Sequence, residues 1–174
     1  MKKISLLFIL TCISIFSFAQ SAPNSGSVMA AAYKKAAKEH KNVIVIFHAS
    51  WCGWCKKMDA SMADPAVKKY FDDNYVTVHL DVQEKPADKR LQNPGADVFL
   101  AKYKGEKAGL PFFLIMDEKG TKLGDSFMGD ANMGCPASPS EVDAFAALLR
   151  KTSKIDDEGL KAIITRFRQN EAKE

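Results

Sequence analysis

Cysteine is scarce in this chain, with four in 174 residues. One of them, Cys12, falls in an N-terminal segment set aside below. Three remaining thiols are too few, and odd in number, for the disulfide framework that staples small exported domains. Blocks of basic residues interleaved with aromatics are missing too, and the formal net charge is only +4. Neither a nucleic-acid groove nor a polybasic membrane patch is therefore expected. No internal repeat and no low-complexity tract interrupts the sequence, which argues against an array of small units. Beyond Phe18 no apolar run approaches the roughly 20 residues of a membrane span.

The one long apolar run is at the start. Met1-Lys2-Lys3 is a short basic region, Ile4 to Phe18 is nearly all apolar, and Ser17-Phe18-Ala19 places small residues before Gln20. Together these read as a bacterial-type secretory leader over residues 1–19, cleaved in the mature protein, with a periplasmic or secreted destination. An uncleaved anchor is the alternative. Without the leader the formal charge falls from +4 to +2, because Lys2 and Lys3 leave with it. About 155 residues remain, enough for one domain with a substantial core. Residues 20–27 read as a flexible lead-in and 28–174 as that domain.

Periodicity supplies the elements. Val28 to His40 reads as a helix and Val43 to His48 as a short, β-branched, buried strand. A helix opens near Cys52 and runs to about Ser61. Asp64-Pro65 restarts it, with Asp as N-cap and Pro at the first helical position. Tyr75 to Val82 is a second strand, Glu84 to Gly95 a polar loop, and Ala96 to Lys104 a short helix. Pro111 to Met116 is a third strand. It turns at Asp117-Glu118-Lys119-Gly120 into a hairpin partner over Thr121 to Met128. Gly129 to Ser138 reads as loop. Ser138-Pro139-Ser140-Glu141 is a capping box for a helix to Lys151, and Asp157 to Gln169 is a last amphipathic helix. The order implies an α/β domain: two βαβ crossings feeding a hairpin, in a small mixed sheet flanked by helices.

Trp51-Cys52-Gly53-Trp54-Cys55-Lys56 is the segment with chemistry in it. A Cys-x-x-Cys at the end of a buried strand, with a helix starting at the first cysteine, puts both sulfurs on one face of the first turn. The unpaired N–H groups there favour a thiolate on Cys52. Cys52 is the expected nucleophile and the more exposed sulfur, and Cys55 the buried resolving thiol. Trp51 and Trp54 would wall the sulfurs, although core packing is the plainer reading for part of Trp51. Lys56 and Lys57 add positive charge or are ordinary solvated lysines. Cys135 is read as a buried small residue, with a third redox role as the alternative.

The stretch Phe47 to Met58, the strand at Val76 to Asp81, and Gly109-Leu110-Pro111-Phe112-Phe113-Leu114 followed by Asp117 to Gly120 resemble the exported, WCGWC-type members of the thioredoxin superfamily. The resemblance covers roughly Val28 to Arg150. It implies a thioredoxin-like fold with an extra C-terminal helix, and a thiol–disulfide oxidoreductase using Cys52 and Cys55, with Gly53 and Trp54 as the motif's inner pair. It needs no cofactor beyond that redox-active pair. It also implies a cis Leu110-Pro111 bond opposite the dithiol, with Leu110 and Pro111 meeting substrate. Partners would be exported protein thiols and disulfides and a thiol electron donor or acceptor, with reduction slightly favoured and the protein monomeric. Two positions depart from the family. Ile46 stands where a buried acid usually handles the second cysteine's proton, and His48 replaces an aromatic and is a candidate relay. Competing readings are a zinc or copper site from Cys52, Cys55, Cys135 and His48 or His79, and a binding or chaperone module with an incidental dithiol.

Overall fold

A computed structural model describes residues 22–171. The leader over 1–19 and the start of the lead-in lie outside the described residues. The first helix, α1 (Ser25–Glu39), begins three residues before the expected start. Asn24 caps it, its side chain accepting the Gly26 N–H, and the Ser25 N–H donates to Pro94 O at 2.9 Å. The C-terminal end of the expected lead-in is therefore helix, tied to the body of the fold. His40, in the left-handed conformation, closes α1.

Strand β1 (Asn42–His48) has five consecutive buried residues, as expected of a strand covered on both faces. After it come α2 (Gly53–Met62), α3 (Lys68–Asn74), β2 (Tyr75–Asp81) and α4 (Ala96–Lys102). Next are β3 (Phe112–Met116) and β4 (Lys122–Asp125), then the helices α5 (Pro139–Thr152) and α6 (Asp157–Arg168). The sheet order is β2-β1-β3-β4. β1 and β2 are parallel, whereas β3 runs antiparallel to β1 and to β4. The mixed sheet is as expected, but only the first crossover is a parallel βαβ unit. The second brings β3 in on the far side of β1 in the opposite direction.

Alternation along β1 and β3 divides the core. Ile44, Ile46, Phe113 and Ile115 pack with Met58 of α2, Phe71 of α3, Phe145 of α5 and Phe167 of α6. Val43, Val45, Phe47, Phe112 and Leu114 pack on the other face with Met29 and Ala32 of α1 and Leu100 of α4. The predicted capping box is present, since Ser138 and Glu141 each accept the other's backbone N–H.

Three further expectations change. Asp64 does not cap α3. Its carboxylate accepts the Ala66 N–H in a local turn and meets Arg166 of α6 at 2.7 Å, and the regular helix starts at Lys68. The polar loop contains a 3-10 turn, Pro86–Leu91. The hairpin partner breaks at Ser126. Residues beyond it form a separate ribbon, β5 (Phe127–Met128) with β6 (Ala131–Asn132), inside the expected hairpin partner and the loop after it.

Candidate active site

The two halves of the dithiol come from the end of β1 and the start of α2. Cys52 is the N-cap of α2 in an extended conformation, and its Sγ accepts the Cys55 N–H at 3.1 Å. The sulfur thus takes the capping place usually held by a side-chain oxygen, against the positive end of the helix. Cys52 and Cys55 form a disulfide with Cα atoms 5.3 Å apart. Cys52 is 4% and Cys55 1% exposed, so in the closed pair the first sulfur is only marginally the more open one.

Trp51 and Trp54 flank the pair and are 46% and 49% exposed. The core-packing reading of Trp51 does not hold: its indole N–H donates to Gln83 O at 3.0 Å at the surface. Lys56 is exposed, and Lys57 lies 4.4 Å over the Trp54 ring while donating to Asn170 O. Gly53 is exposed, with open space where a Cβ would project. Leu110, half-buried, packs with Ala49, Cys52 and Cys55. The Leu110–Pro111 bond is cis, and Gly109 before it has φ +82°, a conformation that favours glycine.

A carboxylate that sequence reasoning passed over braces the motif. Glu84, 6% exposed, accepts the Ser50 N–H at 2.6 Å and the Ser50 hydroxyl at 2.7 Å, which fixes the turn leading into Cys52. It lay in a segment read as polar loop, and no local signal marks it as buried.

His48 ends β1 and Asp81 ends β2, opposite each other in register. The imidazole Nε2 stands 3.2 Å from Asp81 Oδ1, but without hydrogen-bond geometry, so that nitrogen has no hydrogen-bond partner among the described residues. Its ring also meets His79 at 4.9 Å, and His79 reaches Asp59 of α2 at 2.7 Å. Burial pushes His48 below the ordinary histidine range, and the Asp81 charge opposes the shift. Burial likewise raises Asp81, with His48 pulling the other way. The unfolded imidazole accepts a proton that the folded one resists. His48 therefore contributes stability above about pH 6.5 that is lost as pH falls through its lowered folded value. Urea unfolding between about pH 7 and 5.5, above the carboxylate range, should show stability falling with pH, and His48→Gln should flatten that slope.

Cys135 is 5% exposed in the α2–α5–α6 core, and its sulfur accepts from Asn170 Nδ2 at 3.5 Å. Burial pushes its thiol up to about 12, so it stays protonated at neutral pH and is no nucleophile there. Cys52 and Cys55 are bonded to each other, and among the described residues no group of three His, Cys, Asp or Glu is placed to hold an ion.

A sequence family described as thioredoxin-like matches residues 26–118, just over half of the chain. The chain belongs to the thioredoxin-like family. Solved structures it is similar to include a disulphide isomerase from Xylella fastidiosa Temecula1, 16% identical, covering 81% of this chain and 88% of that one at a TM-score of 0.47. A second is the DsbH oxidoreductase, 19% identical, covering 84% and 95% at 0.47. A third is the oxidised C-terminal domain of Neisseria meningitidis DsbD, 19% identical, covering 76% and 99% at 0.49. Family membership together with a closed disulfide across one helical turn supports thiol–disulfide oxidoreductase chemistry in general. Among the described residues no helix is long and apolar enough to cross a membrane.

Proposed function

We propose that the protein is an exported thiol–disulfide oxidoreductase that reduces disulfides of other exported proteins through Cys52 and Cys55. One observation carries the reading: Cys52 Sγ caps α2 and accepts the Cys55 N–H, with Cys55 bonded to it across a single turn. In the reduced pair the same position stabilises a Cys52 thiolate. That thiolate attacks one sulfur of a substrate disulfide, and the other substrate sulfur leaves as a thiolate and takes up a proton. Cys55 then gives up its proton and attacks Cys52 Sγ, which closes the pair and releases the second substrate thiol. Two electrons pass to the substrate, and a thiol donor from the same compartment restores the dithiol.

The leader expected over residues 1–19 supports export, and the charges around the sulfurs support the direction. Gly53 and Trp54 place no ionisable group between the cysteines, and Lys57 is engaged by the Trp54 ring and Asn170 O. Thiolate stabilisation then comes chiefly from the helix tip. A less stabilised reduced form lies toward the reducing end of the range spanned by related dithiols. Leu110, whose main chain has no hydrogen-bond partner among the described residues and whose side chain packs on both cysteines, supports an extended polypeptide as substrate.

Equilibration of the protein with a glutathione series gives the potential. The expected midpoint lies at about −270 to −200 mV. A midpoint near about −120 mV would reassign the protein as an oxidant, and a pair that never opens would remove the enzymatic reading altogether.

A further inference from the structure

Asn132, at the end of β6, has no place in the exchange chemistry, yet it makes three long-range hydrogen bonds to the segment beside the dithiol. Its Nδ2 donates to Ala108 O at 3.1 Å, Gly109 O at 3.2 Å and Pro111 O at 3.0 Å. Its Oδ1 accepts the Gly134 N–H at 3.1 Å. Only one orientation of the amide suits this setting, because the three carbonyls need a donor and the Gly134 N–H needs an acceptor. Two amide hydrogens serve three carbonyls, so at least one is shared.

The carbonyls held are those on either side of Leu110. Leu110 itself is skipped: among the described residues neither its N–H nor its C=O has a hydrogen-bond partner. The clamp therefore satisfies the neighbours and leaves one residue's pair of main-chain groups free, next to the sulfurs. An extended chain pairs with such a free donor and acceptor as one strand pairs with another.

The arm that carries Asn132 is itself anchored. Ser126, fully buried, accepts the Met133 N–H through its carbonyl at 2.8 Å and the Phe113 N–H through its hydroxyl at 3.1 Å, which ties the ribbon back to β3. Met133 and Cys135 are buried just beyond. Between this arm and α2 lies a cavity of about 240 Å³, lined by Trp54, Leu110, Asn132, Met133 and Glu141 among others. Leu110 lines it, so it adjoins the residue whose main chain is left free.

We propose that Asn132 is the positioning residue for polypeptide substrates: its amide holds the Ala108–Pro111 segment so that Leu110 presents its free main-chain groups, and the cavity beside Trp54 receives one substrate side chain. The claim rests on the exchange reading above and adds a positioning residue, whose loss should weigh on extended polypeptide disulfides more than on small ones. Asn132 acts through the loop and touches no reacting atom.

The test compares the purified protein with Asn132→Asp, which keeps the shape and removes every donor. Two substrates are used: a disulfide-linked peptide with dithiothreitol as electron source, and the small aromatic disulfide 5,5′-dithiobis(2-nitrobenzoic acid), offered to pre-reduced protein freed of reductant. The expected result is a KM for the peptide raised about tenfold, with kcat and the rate on the small disulfide within about twofold of the parent. The glutathione midpoint should not move. Asn132→Ser, which retains one donor, should show the same split at smaller size and serves if Asn132→Asp does not fold. An unchanged peptide KM, or equal losses on both substrates, overturns the clamp. A parent protein that reduces neither substrate overturns the exchange reading itself, which separates the two failures.

Discussion

Cys52→Ser is expected to slow reduction of insulin disulfides on the order of 10³-fold or more, to the background set by the reductant alone. A hydroxyl at the tip of α2 can still cap the helix, but it is not ionised near neutral pH and cannot form the mixed disulfide. Because the cap survives, little of the fold is lost, and the defect should lie in turnover with the melting temperature of the reduced protein nearly unchanged. Cys55→Ser should behave differently. Its Cys52 still attacks, but the resolving step is gone, so covalent adducts with exported proteins should accumulate on non-reducing gels. Substantial turnover by Cys52→Ser, or no adducts with Cys55→Ser, would contradict the assignment of attacking and resolving sulfurs.

The largest effect on stability is expected at Phe145. Its ring lies 5.0 Å from Phe167, 5.6 Å from Phe113 and 6.3 Å from Phe71, so one side chain joins α5, α6, β3 and α3. It is 1% exposed. Phe145→Ala removes the ring from a seam whose other three rings stand on three separate elements and cannot all move inward. The expected cost is about 3–5 kcal/mol, against a total of about 5–15 kcal/mol for a typical domain. Urea unfolding should show the midpoint drop by about 1 M or more. A loss below about 1 kcal/mol would mean that the α5–α6 layer collapses freely into the space, and that the seam is not part of the cooperative core.

What could be read from the sequence was what local spacing encodes. The unbroken apolar run Val43 to Phe47 marks a strand buried on both faces, and three-residue spacing after it places two sulfurs on one helical turn. Ser138 and Glu141 announce a helix start because both partners of the box lie within one turn. Strand direction carries no such mark: the order of elements suggests a second parallel crossing, whereas β3 enters antiparallel to β1. Two-residue strands such as β5 and β6 are too short to show alternation. Asp64 has the chemistry of a cap, but Arg166, far along the chain, engages its carboxylate.

The same physics explains which site residues were missed. Glu84 sits in a polar stretch and looks like a surface acid until Ser50, 34 positions earlier, folds against it. Asn132 lies among turn residues and gains its role only when β6 brings it against carbonyls more than twenty residues upstream. Asn170, one residue past the expected end of the last helix, is buried and joins Ser61 of α2 to Pro136 O. Each is a polar residue satisfied at long range, and composition and periodicity carry no trace of such partners.

The central claim is that a sulfur capping α2 ionises readily once the pair is reduced. Alkylation of the reduced protein by iodoacetamide, followed as a function of pH with Cys52 identified by mass spectrometry, measures this directly. The predicted midpoint for Cys52 lies well below that of the same cysteine in the urea-unfolded chain; midpoints that coincide would contradict the account.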